Sequence, residues 1–170
     1  MKIRELTIED AEKIRIWRNK QTKVLRQNNL INFDDQQEYF KLNVLPEYYK
    51  EIPTQYLLGI VKNQVLIGYG GLVYIDFLKK KAELSFLVDN KIDNESKLYE
   101  EIFTFFINSI SKIAKNKFNL DSLYTETHEF RTKHIAILEK NKFVNKGIAN
   151  TSIQKDNLEF DSILHIRKTS

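Results

Sequence analysis

The sequence predicts a mixed α/β fold in one domain that spans residues 1–170. Short apolar stretches predict strands, and longer stretches with apolar residues three or four apart predict amphipathic helices. The clearest region runs from a strand at Ala82–Asp89 through a helix at Glu95–Lys115 and a strand at Leu120–His128 to a helix at Thr132–Asn141. A crossover of this length favours parallel strands. Ligands bind beyond the carboxyl ends of such strands, so the loop before the long helix is a candidate site.

The chain before this region predicts one strand and two helices. Lys2–Leu6 has the pattern of a short strand. A helix over Thr7–Asn19 follows, in which Asp10 stands at the capping-box position. A second capping signal predicts a helix over Asn32–Leu45, which Pro46 should end because proline cannot continue the hydrogen-bond ladder.

The remaining strands are predicted as a central hairpin and a pair at the carboxyl end. Glycines cluster at Gly68–Gly71, inside one of these strands, which indicates either sheet bending or a wall where a substrate approaches the backbone. The segments are Thr54–Lys62, Val65–Ile75, Lys142–Ile153 and Asn157–Arg167, with a polar turn at Gln154–Asp156.

Composition excludes several classes of protein and site. Apolar residues make up 42% of the 170 residues, which is too many for a disordered chain. The net charge of +4 is dispersed, which argues against nucleic-acid binding and is compatible with an anionic small ligand. Without cysteine there are no disulfides or thiolate nucleophiles, and the three histidines lack metal-ligand spacing. No signal peptide or membrane span is recognised, so a cytoplasmic protein is expected.

Three short motifs resemble those of the GNAT superfamily of acyl-CoA-dependent N-acetyltransferases, whose element order also matches. Ile137–Phe143 resembles the "LLEKxGF" ending with Lys142 in the glycine place, Glu83–Val88 resembles the fourth strand, and Trp17–Asn19 resembles a "WRN" element. The resemblance implies a mostly antiparallel sheet with helices on both faces. It also implies that the fourth and fifth strands splay apart around the pantetheine arm of acetyl-CoA, which is the co-substrate.

The resemblance assigns cofactor contacts to two segments. The backbone of Phe86, Leu87 and Val88 would pair with the pantetheine arm, and one N–H group would polarise the thioester carbonyl. The pyrophosphate would bind at the start of the following helix, where this chain has no glycine. Leu138 stands where many relatives carry the tyrosine that protonates the thiolate. The remaining cofactor candidates are Lys91, Asn94, Glu95, Ser96, Lys97, Arg131 and His134.

Acetyl transfer also needs a group that takes a proton from the amine. Glu83 is the first candidate for this base, and its alternative role is a strand-end carboxylate paired with a lysine. Glu126 and His128 lie at the carboxyl end of the next strand, where a site is expected, although a strand-end histidine is also a common surface residue. Candidate acceptor-binding residues are Trp17, Arg18, Asn19, Arg26, Tyr69, Gly70 and His165.

Three functions remain open at this point. The first is acetylation of a small amine, most simply an amino sugar on a nucleotide carrier, since arginine binds phosphate and aromatic rings stack on bases. The second is acetylation of protein N-termini, as in the ribosomal-protein branch of the family. The third is a degenerate domain that binds without catalysis, suggested by the glycine-free loop. We expect a monomer or homodimer without a metal.

Overall fold

A computed structural model describes residues 1–25, 27–149, 153–155 and 158–169. The strands are β1 (Lys2–Glu5), β2 (Tyr56–Lys62), β3 (Val65–Asp76), β4 (Lys81–Val88), β5 (Ser122–His128), β6 (Val144–Ile148), β7 (Ile153–Lys155), β8 (Leu158–Phe160) and β9 (Ser162–Lys168). The α-helices are α1 (Asp10–Lys20), α2 (Phe33–Tyr39), α3 (Lys97–Asn116) and α4 (Thr132–Lys140).

Seven strands form one sheet in the order β1-β2-β3-β4-β5-β9-β6. Neighbouring strands are antiparallel, apart from the parallel pair β4 and β5. Strands β7 and β8 form a separate hairpin. The predicted fold class, a mixed and mostly antiparallel sheet, is therefore confirmed.

Helices cover both faces of the sheet. Phe103 and Ile107 of α3 and Leu138 of α4 are completely buried in a core against one face. Ile14 and Trp17 of α1 are buried in a second core against the other face. The sheet lies between these two cores. The candidate functional residues lie where the sheet opens.

The sheet opens between β4 and β5. These strands pair only at their first residues, where Lys81–Glu83 face Ser122–Tyr124. Beyond this point β4 pairs with β3 alone, and Thr125–His128 pair with β9 alone. The predicted splay of the fourth and fifth strands is thus present, and it leaves one backbone edge of β4 uncovered.

The segment that was predicted as one helix over Asn32–Leu45 consists of three helical pieces. An α-helix at Phe33–Tyr39 passes into a π-helical turn at Phe40–Val44 and then a 3-10 helix at Leu45–Tyr49. Helical backbone continues past Pro46, contrary to the prediction, because Pro46 stands in the first turn of the 3-10 helix, where a missing N–H group is tolerated. The wider π turn brings Phe40 and Val44 into the core, where each is 1% exposed.

The carboxyl end also differs in detail from the sequence prediction. Two strands were predicted here and four are present, because β6 ends at Ile148 and a short β7–β8 hairpin precedes β9. Gly147 adopts a φ of 90°, which other residues rarely adopt, beside a bulge in the β6–β9 pairing. The predicted turn at Gln154–Asp156 is not reproduced at Gln154, which belongs to β7, and Asp156 lies outside the described residues. Within the described ranges, no helix is long and apolar enough to cross a membrane.

Candidate active site

A cavity of about 280 Å³ occupies the opening between β4 and β5. Side chains on a strand alternate between faces, so residues from both faces of the sheet line it. The cavity therefore leads through the sheet. Glu83, Ser85, Glu126 and His128 line it on the α1 side, and Phe86, Phe103, Thr125, Arg131 and His134 line it on the α3 side.

A second cavity of about 550 Å³ adjoins the first on the α1 side. It lies between α1, the loop that follows it, α2, and strands β2 and β3. Arg18, Val73 and Ser85 line both cavities. The acetyl donor and an acceptor could thus meet at this junction from opposite faces of the sheet.

Arg18 is held at the junction by two neutral groups. Its Nη1 donates a hydrogen bond to the Tyr69 hydroxyl at 3.0 Å, and its Nε donates to Gln27 Oε1 at 3.1 Å. Among the described residues, no carboxylate forms a salt bridge with Arg18. The predicted acceptor residues Arg18 and Tyr69 are therefore in contact and line the second cavity.

The other residues of the "WRN" element have structural positions. Trp17 is 2% exposed in the core and lines neither cavity. Asn19 Oδ1 accepts hydrogen bonds from the Ile31 N–H and from Gln27 Nε2, both at 2.9 Å. Asn19 thereby fixes the loop that supplies part of the second cavity wall. Arg26 lies outside the described residues.

Gly70 and His165, which were also predicted to bind the acceptor, line neither of the two cavities. A Cβ at Gly70 would overlap the Ser85 carbonyl oxygen, so this glycine permits close approach of β3 and β4. His165 pairs with Thr125 in the sheet and is completely buried under α4, with Nε2 3.5 Å from Glu139 Oε1. Strand alternation turns it away from the acceptor side.

The three predicted catalytic residues lie together in the first cavity. Glu83 and Tyr124 are partners in the last β4–β5 pair before the opening, and Glu126 follows on the same face of β5. His128 is 4% exposed, stacks on Phe130, and has Nδ1 3.4 Å from Ser162 Oγ. The site thus contains two carboxylates and an imidazole, each of which is a type of group that accepts protons in enzymes.

The backbone of β4 presents hydrogen-bonding groups to the opening. The Asp89 N–H donates to the Ile67 carbonyl of β3 at 2.9 Å. Since backbone groups alternate in direction along a strand, Leu87 also faces β3, whereas Phe86 and Val88 face the opening. The Val88 carbonyl accepts a hydrogen bond from Gln21 Nε2 at 2.8 Å. Of the three predicted contacts for a pantetheine arm, Phe86 and Val88 have the suitable orientation and Leu87 does not.

The loop before α3 binds many of its own amides. Asp89 Oδ1 accepts from the Lys91 N–H, and Asp93 Oδ1 accepts from the Glu95 N–H, each at 3.0 Å. Ser96 Oγ caps the helix by accepting from the Tyr99 N–H at 3.1 Å. This cap makes α3 begin at Lys97, two residues later than predicted.

A diphosphate bound at the start of α3 would therefore find fewer free backbone N–H groups than the sequence prediction assumed. The first helical N–H groups after the cap, starting with Lys97, remain directed out of the helix. The exposed side chains of Lys91 and Lys97 supply positive charge, whereas the side chains of Asn94 and Glu95 cannot. The opening between β4 and β5 suits a pantetheine arm. The start of α3 suits a diphosphate, but it offers fewer backbone N–H groups than the sequence prediction assumed.

Arg131 and His134 line the first cavity from α4 and contact Tyr99 of α3. Arg131 Nη2 lies 3.3 Å from the Tyr99 hydroxyl, which lies 2.7 Å from His134 Nδ1. Burial lowers the pKa of His134 well below its usual value, and the charges of Arg131 and His165 add to this effect. His134 is therefore uncharged at neutral pH.

Sequence reasoning missed Tyr99, Phe103 and Gln21 as site residues. Tyr99 and Phe103 follow the helical spacing of the α3 core, so their pattern indicates packing and conceals contact with the cavity wall. Gln21 lies just after α1 and bonds Val88, 67 residues away. No local signal could identify that pair. Among the described residues, no cluster of histidine and acidic side chains could hold a metal ion.

Comparisons with known proteins agree with this geometry. No curated protein sequence matches the chain. The fold is similar to that of spermidine N-acetyltransferase from Vibrio cholerae in complex with CoA and spermine, with a TM-score of 0.85, 16% identity, and coverage of 99% of this chain and 95% of that chain. A dodecameric structure of the Vibrio cholerae enzyme gives a TM-score of 0.80 at 15% identity, with coverage of 99% and 93%. At such identities the likeness shows the fold alone.

The family itself is shown by a sequence model. The model described as "Acetyltransferase (GNAT) domain" matches residues 3–164, which is nearly the whole chain. This match confirms the prediction of an N-acetyltransferase with acetyl-CoA as its co-substrate. The chain, with its splayed strands and through-sheet cavity, therefore belongs to the GNAT family of acetyltransferases.

Proposed function

We propose that the chain transfers the acetyl group of acetyl-CoA to the amino group of a small acceptor that carries a negative charge, such as a nucleotide-linked amino sugar. The observation that carries the proposal is the position of Arg18. Its guanidinium lies at the junction of the two cavities, bound to Tyr69 and Gln27.

An anionic acceptor would complete the surroundings of Arg18. Burying a cation costs free energy unless an anion compensates it. The described residues around the second cavity provide no ion pair for Arg18, so a substrate phosphate or carboxylate is the natural partner. The planar guanidinium has several donors and binds such groups with two parallel hydrogen bonds.

The second cavity also suits a nucleotide. Its volume of about 550 Å³ is in the range of small-molecule sites. Tyr39, which is 41% exposed, contributes an accessible aromatic ring to its lining, whereas the rings of Phe40 and Tyr69 are buried behind it. Aromatic side chains stack on nucleobases with little dependence on base identity. These features support an acceptor with a planar base and a phosphate more than a flexible chain of amines.

Direct attack of the amine on the thioester is the expected chemistry, since the chain has no cysteine for an acyl-enzyme. Glu83 is the proposed base, with Glu126 and His128 as alternatives in the same cavity. The N–H group of Phe86 or Val88 would stabilise the oxyanion that forms on the acetyl carbonyl. Arg18 would hold the acceptor so that its amine approaches from the α1 side.

A polyamine acceptor is the main competitor, because the similar Vibrio cholerae structure contains spermine. Recognition of a polycation needs several carboxylates. Among the described residues that line the second cavity, Asp35 is the only acidic one, and its carboxylate accepts a hydrogen bond from Asn32 Nδ2. Glu83 and Glu126 lie in the adjoining first cavity, where the proposed reaction uses a carboxylate as its base. Arg18 would repel a polycation.

The experiment is an acceptor panel assayed by release of the CoA thiol. The panel contains a UDP-linked amino sugar, the same sugar without the nucleotide, spermidine and a peptide with a free N-terminus. We expect kcat/KM for the nucleotide-linked sugar to exceed the others by about 100-fold, the value of one strong hydrogen bond to a charged group. A preference for spermidine or the peptide would overturn the proposal.

Calorimetric titration with acetyl-CoA separates a non-catalytic domain from these enzymes. We expect binding with heat release, whereas a protein that neither binds acetyl-CoA nor turns over any acceptor would be a degenerate member. Gel filtration with light scattering tests the expected monomer or homodimer. Cytoplasmic localisation and a single domain over residues 1–170 remain proposals.

A further inference from the structure

A chain of hydrogen bonds crosses the end of the first cavity between α3 and α4. Arg131 Nη2 donates to the Tyr99 hydroxyl at 3.3 Å, and this hydroxyl lies 2.7 Å from His134 Nδ1. The same Nη2 also lies 3.3 Å from His134 Nδ1, so the guanidinium contacts both partners. Tyr99 is 2% exposed and His134 is 7% exposed. Arg131 and His134 both line the cavity. Three polar side chains thus form a connected path from helix α3 to the cavity wall.

The chemistry of the three groups defines the direction of each hydrogen bond. A guanidinium only donates, so the Tyr99 oxygen accepts from Arg131. The tyrosine hydrogen is then directed to His134 Nδ1, which must accept it. A neutral imidazole that accepts at Nδ1 carries its own hydrogen at Nε2. His134 Nε2 is therefore the donor that the chain offers to a group in the cavity.

The charged surroundings keep this arrangement in place. Burial, then Arg131, then His165 lower the pKa of His134, so the ring stays neutral. Burial raises the pKa of Tyr99, Arg131 lowers it, and Glu95 raises it, with a net increase. Tyr99 therefore keeps its proton at rest. Arg131 beside it is the group that would stabilise a phenolate.

We propose that Arg131, Tyr99 and His134 form a relay that protonates the thiolate of CoA as it leaves. The proposal rests on the acetyltransferase function. The His134 Nε2–H bond breaks as an S–H bond forms, while the Tyr99 O–H bond breaks as an Nδ1–H bond forms. Tyr99 is left as a phenolate beside the Arg131 guanidinium. A solvent proton that enters after the products leave restores the original state.

Leu138 of α4 stands where the resemblance implies a tyrosine, and a leucine side chain has no proton to transfer. Another group must therefore supply the proton. Leu138 is completely buried in the core and packs with α3. Thr125, Thr127 and Tyr74 also line the cavity. An aliphatic hydroxyl is a much weaker acid than a phenol, and Tyr74 is 70% exposed and belongs to β3 rather than to the α3–α4 wall. His134 is the catalytic residue of the relay, and Tyr99 and Arg131 act through it.

The first test uses Tyr99→Phe, which keeps the ring and removes the hydroxyl. We expect turnover with acetyl-CoA to fall about 10- to 100-fold, as for loss of a general acid, with unchanged CoA affinity by calorimetry. An S-aryl thioacetate, whose acidic thiol leaves without a proton, should react with wild type and variant at equal rates. Equal slowing of both donors would indicate a structural role and overturn the relay.

Tyr56→Phe is the matched control, because Tyr56 is also buried and its hydroxyl bonds Lys117 Nζ at 2.8 Å away from both cavities. Its turnover should match wild type. If Tyr99→Phe does not fold, Arg131→Gln should show the same dependence on the leaving group with a smaller loss. Equal rates for wild type and Arg131→Gln with acetyl-CoA would then contradict the relay.

A second readout requires no acceptor. Nitrogen NMR of His134 should show the hydrogen at Nε2 in wild type and a mixture of tautomers in Tyr99→Phe. A hydrogen at Nδ1 in wild type would refute the relay even if the enzyme is active. Failure of the proposed acceptor class would appear only in the acceptor panel, so the two results can be told apart.

Discussion

Arg18 of α1 and Tyr69 of β3 are joined by a 3.0 Å hydrogen bond where the second cavity meets the opening in the sheet. The pair spans 51 residues of sequence and connects the two layers that form the cavity. Tyr69 is 5% exposed and cannot move without disturbing the core. The guanidinium is therefore positioned before a substrate arrives, which lowers the cost of binding.

Arg18→Gln should raise KM for an anionic acceptor about 10- to 100-fold, because a hydrogen bond to a charged group contributes about 1.5 to 3 kcal/mol. KM for acetyl-CoA should stay the same. Lys20→Gln is the matched control, since Lys20 is an exposed cation on the same helix and lines neither cavity. Steady-state kinetics with both substrates varied provides the measurement. An equal effect of the two variants would remove Arg18 from the acceptor site.

Glu83→Gln should lower kcat by about 100-fold or more, because the amide cannot accept the amine proton. Affinity for acetyl-CoA, measured by calorimetry, should be intact. Glu126→Gln serves as the comparison within the same cavity and should have a smaller effect. Unchanged turnover of Glu83→Gln across about pH 6 to 9 would exclude it as the base. A larger loss of kcat for Glu126→Gln would identify Glu126 as the base instead.

Asp93→Gly should tighten CoA binding about 2- to 5-fold, because charges at a helix start contribute about 0.3 to 1 kcal/mol. The change also releases the Glu95 N–H, from which the Asp93 carboxylate accepts a hydrogen bond. The gain should shrink at high salt, since screening weakens exposed charges. Calorimetry at two salt concentrations measures both effects. Asp121→Asn is a control, as Asp121 pairs with Lys115 outside both cavities. Weaker binding by Asp93→Gly would mean that the aspartate shapes the phosphate site.

Gly70→Ala should lower the free energy of unfolding by about 3 kcal/mol, at the upper end for overpacked positions. The added methyl group would overlap the Ser85 carbonyl oxygen and lie 2.9 Å from Phe86 Cα, so backbone must move. Gly59→Ala is the milder control, because its closest contact is the flexible end of Leu66 at 2.6 Å. Urea denaturation compares them, and equal losses would contradict this explanation.

Asp10 should make stability depend on pH in the acid range. Burial raises the pKa of Asp10, but hydrogen bonds from Arg4 and from the Thr7 N–H outweigh it, so the folded-state pKa is lowered. This stabilisation is complete above the unfolded pKa of about 4 and is lost as pH falls through the folded pKa. Asp10→Asn should therefore be less stable than wild type near neutral pH and equal to it in strong acid. Thermal unfolding across this range measures the difference, and a constant gap would contradict it.

Local patterns explain which elements could be predicted. Helix α3 buries Ile102, Phe106 and Ile110 at helical spacing, so its sequence alone identifies its inward face. The segment Phe33–Tyr49 has no comparable stripe, and its change from α to π to 3-10 geometry depends on how Phe40 meets the core. Prediction therefore succeeded where the signal repeats along one element.

The candidate site divides in the same way. Glu126 and His128 were predicted because the carboxyl ends of strands in an α/β sheet face ligands, and Glu83 was predicted from the family resemblance. All three line one cavity. His165 was expected near the acceptor, but its side faces α4, because pairing register determines which face a strand residue occupies. Gly70 was likewise expected near the acceptor, but its lack of a side chain instead allows β3 and β4 to approach closely.

The sequence by itself determined the order of elements, the family, and the lack of a cysteine nucleophile, because these depend on residue identity and on spacing along the chain. Tertiary structure decided that β4 and β5 part after three residue pairs, that Arg18 meets Tyr69, and that Tyr99 meets His134. These contacts join residues 35 to 51 positions apart, and their distances follow from packing of helices on both faces of the sheet. No local pattern encodes such distances, since each depends on the simultaneous fit of several elements.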